Sequence, residues 1–301
     1  MHPAMDPFAG GPAPDRPRLF VDVQHGLCNR LRALVSGAAI AARTGRQLVV
    51  IWVPDHHCEA RIGDVLRYPG MVIEERDTAW RLQARSARVY NYLEIEPGSR
   101  FQEPILTEGD DWPGADVYVR SAYTLNSPHR TDADEQYFLR RLVPSLPVLE
   151  LVDQVPHPSS VAVHIRMATG QDYDHLSFES PQNWPENRHQ ELTEWRAKSH
   201  VSHFIARLDQ LVEAGQADSI FVATDLEQTY ALLTERYGAR LRFLKRDRFD
   251  RSARQIQYAF ADLLLLTAAP LFLGSTWSSF SDVAQRLARP GRRFERSGHE
   301  F

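Results

Sequence analysis

Cysteine is nearly absent from this 301-residue chain, with Cys28 and Cys58 the only two. So few thiols exclude a disulfide framework and a cysteine-rich metal centre. A single Cys28–Cys58 disulfide stays open, with a reduced, cytoplasmic protein the simpler reading. The chain also lacks any apolar run of the ~20 residues that a membrane-spanning helix needs. Its longest, Leu263 to Leu273, is interrupted by Pro270. The stretch Met1 to Arg18 is rich in Pro, Gly and Ala and has no apolar signal core, so it is expected to be a disordered leader without a secretory function. Lysine is scarce, leaving the positive charge almost wholly to arginine, and the formal net charge is −4. That balance excludes a nucleic-acid binder working through a broad basic face.

What is present is the composition of an ordinary globular protein, 43% apolar and 25% charged. The length suits two domains. The proline-rich stretch from Pro144 to Pro158 marks the expected boundary, giving a leader at 1–18, a first domain at 19–146 and a second at 147–301. Leu19 to Val23 reads as a strand, Asn29 to Arg43 as a helix closed by Gly45, and Gln47 to Trp52 as a second strand. Strand, turn, helix and strand make one right-handed βαβ unit. Weaker strand signals follow at Met71 to Glu74, Val89 to Leu93 and Asp116 to Tyr123, and helical ones at Asp132 to Leu142 and Val148 to Val155. In the second half, strands at Val161 to Ile165, Ser219 to Asp225, Arg240 to Leu244 and Leu271 to Leu273 alternate with helices. The helices are expected at His189 to Ala214, Leu226 to Tyr237, Arg254 to Ala269 and from the serine run to Leu287. Alternation of this kind predicts an α/β fold with two parallel sheets.

Ligands of such sheets bind at the carboxyl ends of the strands, so the residues leaving each strand are the candidates. Val161-Ala162-Val163 runs into His164, Ile165 and Arg166. Alone, that arginine reads as tied to a surface carboxylate beside a core histidine; its fixed charge and fork of donors equally suit a phosphate. The next strand ends in Asp225, and the last opens into Ser278, Ser279 and Phe280 ahead of a helix, where hydroxyls, amides and helix dipole favour an anion. Three polar strand ends on one edge predict a pocket with a cation and amides for phosphate and a carboxylate for a base or ribose. The first turn, Gln24 to Arg30, has neither dinucleotide-binding nor Walker spacing; Asn29 there reads as an N-cap residue or a ligand contact. The pairs Asp132/Asp134 and Asp172/Asp174 arise easily by chance and follow no clear strand, and His56-His57-Cys58 lacks partners at ligand spacing, so no metal is expected. His25, Asp172, Asp174 and Glu179 lie in loops where a base could sit, without any of them standing out; Trp184 and Trp277 could stack on a sugar or fill core.

Four blocks of the second half, in order, resemble the nucleotide-binding half of GDP-fucose-dependent fucosyltransferases, the protein O-fucosyltransferases and nodulation-type α1,6 enzymes. They are His164-Ile165-Arg166, Ala223-Thr224-Asp225, Ala261-Asp262-Leu263 and Ser278-Ser279-Phe280-Ser281. In the first half Gly26-Leu27-Cys28-Asn29-Arg30 is similar to the family's glycine-rich turn, with Cys28 and Met167 departing from its pattern. The resemblance implies a GT-B fold, two Rossmann-like domains facing across a cleft, and an inverting, metal-independent transferase with no cofactor. Its donor would be a GDP-sugar, GDP-fucose first, and its acceptor a glycan, small-molecule or protein hydroxyl. By that resemblance Arg166 and Asn29 are the catalytic candidates, and His164, Arg30, Asp225, Asp262, Ser278, Ser279 and Phe280 the donor-binding ones. Arg166 would hold the β-phosphate and Phe280 would pack on guanine. A non-catalytic nucleotide-sugar binder and a transferase of the same fold using another donor are the open alternatives.

Overall fold

A computed structural model of the chain describes residues 6–8, 11, 15–94, 96–107, 114–167, 186–246 and 248–301. It divides into two compact units, Met1–Ser145 and Leu146–Phe301. The first unit holds five strands, β1 (Arg18–Val23), β2 (Gln47–Ile51), β3 (Met71–Ile73), β4 (Arg88–Asn91) and β5 (Val117–Ser121). Their order is β3-β2-β1-β5-β4, with every neighbour parallel. Helices α1 (Leu27–Thr44), α2 (Ile62–Val65), α3 (Arg76–Arg85) and α4 (Asp132–Arg140) complete it among the described residues. Parallel strands covered on both faces read as continuous apolar runs instead of alternating ones. Leu19, Val21 and Val23 alternate with the equally buried Phe20 and Asp22, so both faces of β1 lie in core.

In the second unit the order is β10-β9-β6-β7-β8, again all parallel. Its strands are β6 (Val161–Ile165), β7 (Ile220–Thr224), β8 (Leu241–Arg242), β9 (Leu271–Gly274) and β10 (Arg293–Arg296). The helices are α5 (Leu146–Val152), α6 (Glu186–Lys198), α7 (Val201–Glu213), α8 (Glu227–Tyr237), α9 (Ala253–Ala268) and α10 (Ser279–Leu287). Strands β6, β7 and β9 are buried along their whole length. Val163, Ile165, Val222 and Leu273 pack with Phe204, Leu208 and Leu233 from α7 and α8.

Several expectations need correcting. Helix α1 starts at Leu27 with Gly26 as its N-cap, so Asn29 lies inside the first turn and is not the cap. The helix predicted as continuous from His189 to Ala214 is two, because the backbone extends at His200, whose ring accepts the Ser202 amide and caps α7. Helix α3 and strand β10 were not predicted; α3 buries only Ala79 and β10 is short and mostly charged, so neither gives an apolar period. The leader is partly anchored. Phe8 is buried against Tyr68 and Phe138, and Asp6 pairs with Arg141. Burying a phenylalanine yields about 1.5–3 kcal/mol, enough to fix a short segment. Both cysteines are free and buried. Asp132 and Asp134 pair with Arg130 and Arg43 at the start of α4.

Helix α1 sits unusually close to β1. A Cβ added at Gly37 would lie 2.5 Å from Cγ2 of Val21, a side chain with no room to retreat. Alanine would gain roughly 1 kcal/mol of helix propensity over glycine, and overpacking of a tight core typically costs about 1–3 kcal/mol. The clash wins. Gly37→Ala is expected to lower the urea midpoint by the equivalent of up to about 2 kcal/mol with the slope unchanged; a raised midpoint would contradict this packing.

Candidate functional site

In the second unit the chain leaves β6 toward β7 and β8, then returns to the other side of β6 with β9 and β10. The connections therefore diverge between β6 and β9, which opens a crevice at their carboxyl ends, the usual ligand position of such sheets. Ser275 fastens that edge. Its amide and its hydroxyl both donate to the His164 carbonyl, each at 3.0 Å, and its hydroxyl accepts the Arg166 amide at 2.8 Å. Gly274 stands beside His164 in register. A Cβ there would come within 2.7 Å of the Phe294 ring.

His164 is enclosed. Its Nδ1 lies 2.8 Å from the Ser281 hydroxyl, and its ring stacks on Phe280 at 4.7 Å between centroids. Burial pushes its pKa down to about 3; Asp225 opposes this and Arg166 and Arg196 add to it. The imidazole is neutral throughout the physiological range and serves as a positioning element between β6 and α10. Ser278 caps α10 by accepting the Ser281 amide at 3.4 Å. Ser278 and Ser279 stay partly exposed at this helix N-terminus, where amides and dipole favour an anion.

The guanidinium of Arg166 is ion-paired to Asp225 at the end of β7, the two side chains being 18% and 19% exposed. Asp225 also accepts the Met167 amide, at 3.1 and 3.2 Å from its two oxygens. One carboxylate thus fixes both the charge and the backbone at the end of β6. The local reading of an arginine tied to a carboxylate and the reading of a ligand-edge cation describe the same residue here.

The first unit has its own divergence, between β1 and β5. Asn29 is partly exposed in the first turn of α1. Beside that turn, Arg120 bridges Asp22 at 2.8 Å and Glu96 at 2.8 and 3.0 Å, and Tyr118 donates its hydroxyl to Asp22 at 2.9 Å. Burial raises the Asp22 carboxyl, against the pull of Arg120. Burial also pushes Glu96 up, but the bonds and charge of Arg120 prevail and leave it lowered.

Thus His164, Arg166, Asp225, Ser278, Ser279 and Phe280 gather around the carboxyl edge of the second unit's sheet, and Asn29 marks that of the first. Phe280, expected on guanine, packs on His164. Two of the candidates are buried. Arg30 is wholly buried: it donates to the carbonyls of His25 and Val53 at 2.8 and 2.9 Å, pairs with Asp55 at 2.9 Å and lies over the Trp52 ring. It pins two loops together. Asp262 is also buried, paired at 2.7 Å with Arg246, itself 3% exposed. Burial lifts its carboxyl to about 6 while Arg246 opposes. The loop residues Asp172, Asp174, His175, Glu179 and Trp184 lie outside the described residues. Ser275 and Arg120 went unpredicted, and Ser281, though part of the serine block, was given no role of its own. Arg120 carried a signal, since Val117-Tyr118-Val119-Arg120 repeats the pattern of apolar strand into arginine seen at Val163 to Arg166.

No protein-family model matches the chain, nor does any curated protein. Solved structures do. Fucosyltransferase NodZ from Bradyrhizobium aligns over 91% of this chain and 94% of its own, at 15% identity and a TM-score of 0.58. NodZ alpha-1,6-fucosyltransferase soaked with GDP-fucose aligns over 91% and 93%, at 14% identity and 0.53. POFUT1 in complex with GDP-fucose aligns over 97% and 100%, at 13% identity and 0.55. The likeness shows that the chain shares their fold, the α/β fold of GT-B type with two parallel five-stranded sheets.

If Asp262 belongs to a core ion pair, removing its partner strands a buried charge, which costs about 3–5 kcal/mol. Arg246→Met is expected to destabilise the protein by that amount in chemical denaturation, and the further change Asp262→Leu to restore most of it. A stable Arg246→Met protein would instead return Asp262 to the ligand candidates.

Proposed function

We propose that the protein is an inverting, metal-independent glycosyltransferase that moves a sugar from a GDP-sugar, GDP-fucose first, to a hydroxyl acceptor. The observation that carries this is the second unit's crevice edge, where Arg166, Asp225 and the serine N-terminus of α10 meet at the β6/β9 divergence. The shared fold with structures holding GDP-fucose supports the choice of nucleotide.

On this reading the acceptor oxygen attacks the anomeric carbon, and the bond from that carbon to the β-phosphate oxygen breaks with its electron pair leaving on GDP. Arg166 turns from Asp225 to the β-phosphate and offsets the charge that develops there, a form of electrostatic stabilisation that can supply several kcal/mol in a water-poor site. Ser278 and Ser279 hold phosphate oxygens with the amides of α10. Asp225 keeps the guanidinium aimed before the donor arrives and becomes available to the ribose or guanine afterwards. Asn29, in the first turn of α1, is the second catalytic candidate of this reading. No residue is assigned to a cofactor. Among the described residues no helix is long and apolar enough to cross a membrane; the reading places the reaction in the cytoplasm.

A thermal-shift panel of GDP and UDP tests the donor. GDP at a hundred times its Kd is expected to stabilise by about 2.7 kcal/mol, seen as a rise of several degrees, with UDP giving much less. Stabilisation by UDP alone would shift the reading to a different donor. Arg166→Ala should reduce transfer from GDP-fucose at least a hundredfold while melting within a few degrees of the parent. Full activity in that variant would sink the mechanism. GDP-induced stabilisation without any GDP released from GDP-fucose would make the protein a binder.

A further inference from the structure

One aromatic residue of the second unit has no part in the transferase reading, although it adjoins the serines given to phosphate. Trp277, directly before Ser278, is 49% exposed, whereas tryptophan is on average well buried. Its φ is +49°, in the left-handed region that side-chain-bearing residues seldom occupy and that gathers at functional sites when they do. Both neighbours are tied down. The Thr276 amide donates to the Ser297 hydroxyl at 3.3 Å, and Ser278 caps α10. The Trp277 ring is parallel to that of the half-buried Trp195 in α6 within 9°, with centroids 6.4 Å apart. Trp195 is parallel in turn to the exposed His299 within 19°, again at 6.4 Å. Lys198 sets its Nζ 4.3 Å from the centre of the Trp195 ring, a cation–π contact that steadies the ring and brings ammonium donors to it. The segments carrying these rings are joined by buried bonds. Ser297, directly after β10, donates its amide to the Gly274 carbonyl at 3.0 Å, and its hydroxyl lies 3.2 Å from that of Ser199, between α6 and α7. The Gly298 amide donates to the Phe301 carbonyl at 2.7 Å, and the Phe301 ring packs edge-on against Phe204 in the core. Trp277 and His299 follow β9 and β10, so they lie past the same sheet edge as Arg166 and the α10 serines.

We infer that Trp277, Trp195 and His299 form a carbohydrate platform that takes a sugar ring of the acceptor, which makes the acceptor a glycan. The inference rests on the transferase reading and gives it an acceptor class. A pyranose has a face of C–H bonds and a rim of hydroxyls. Flat aromatic rings whose backbone is already fixed match the face at little cost in side-chain freedom. The Lys198 ammonium and the His299 ring nitrogens supply polar partners for the rim. The exposed residues next along the chain, Glu194, Arg296 and Glu300, are charged. Charged residues are depleted at the core of protein–protein contacts, so this setting suits a hydroxylated ligand better than a second apolar surface. Consecutive Cα atoms are about 3.8 Å apart, so a sugar resting on Trp277 adjoins the Ser278 hydroxyl that the transferase reading gives to phosphate.

The test is titration calorimetry of the full chain with soluble oligosaccharides of glucose, mannose and N-acetylglucosamine, with GDP-induced thermal stabilisation measured alongside. The parent is compared with Trp277→Asn, which removes the ring and tolerates the left-handed backbone, and with Trp277→Tyr, which keeps a flat face. At least one oligosaccharide is expected to bind the parent. Its affinity should fall about tenfold in Trp277→Asn, the scale of one aromatic contact, and recover most of the way in Trp277→Tyr. No binding by any of the three sugars, or equal binding in the parent and Trp277→Asn, overturns the platform. A loss that Trp277→Tyr does not restore overturns it as well. Dimerisation in sedimentation, or co-sedimentation with phosphatidylcholine vesicles, that disappears in Trp277→Asn gives the surface to a second copy or to lipid and overturns the glycan. Glycan binding by a parent that GDP does not stabilise overturns the transferase reading, and the acceptor role with it.

Discussion

A parallel sheet puts the carboxyl ends of all its strands on one edge, and the candidate site in this chain follows from where the connections diverge along that edge. In each unit the first strand is central, and the chain builds outward on one side before returning to the other. The second side closes on β5 in one unit and β9 in the other, so each unit has one crevice, and side chains leaving the flanking strands must meet there. In the second unit that forces Arg166, the β9 serines and Asp225 together although they are far apart in sequence. Ser275 makes the junction rigid with three hydrogen bonds across it. Without that clasp the arginine and the α10 N-terminus would belong to independent loops.

The two crevices are furnished by a common pattern of different chemistry. Each has an arginine at the end of an apolar strand held by a carboxylate of the adjacent strand: Arg166 by Asp225, and Arg120 by Asp22. Each also has a ring-bearing residue in left-handed backbone just past a strand that flanks the crevice, His25 after β1 and Trp277 after β9. Buried charge is tolerated only when paired. The guanidiniums sealed in the core, Arg30 beside Asp55 and Arg246 beside Asp262, sit in structural pairs, while the arginines at the crevice edges, Arg166 and Arg120, remain partly exposed.

Much of this was legible in the residues. The apolar runs ending in His164-Ile165-Arg166 and Ala223-Thr224-Asp225 marked strand ends, and alternation with helices implied parallel sheets and hence a shared edge. Strand order was not legible, because pairing depends on packing between segments distant in sequence. That is why Ser275, one residue past its strand, drew no attention beside Ser278 and Ser279. That Arg30 and Asp262 are buried was hidden for a related reason. A motif places a residue along the chain but not in depth, and a charged residue next to a ligand turn looks the same whether it faces the crevice or the core. Helix α3 and strand β10 escaped because their positions are settled by neighbours and not by an apolar period of their own.

The central claim is that Arg166 grips the β-phosphate of a guanine nucleotide. Titration calorimetry with GDP and GMP measures that grip directly, since the two ligands differ only in that phosphate. The account predicts that GDP binds the parent at least tenfold more tightly than GMP and that Arg166→Ala erases the difference. Equal affinities for GDP and GMP in the parent, or a preference that survives in Arg166→Ala, would contradict it.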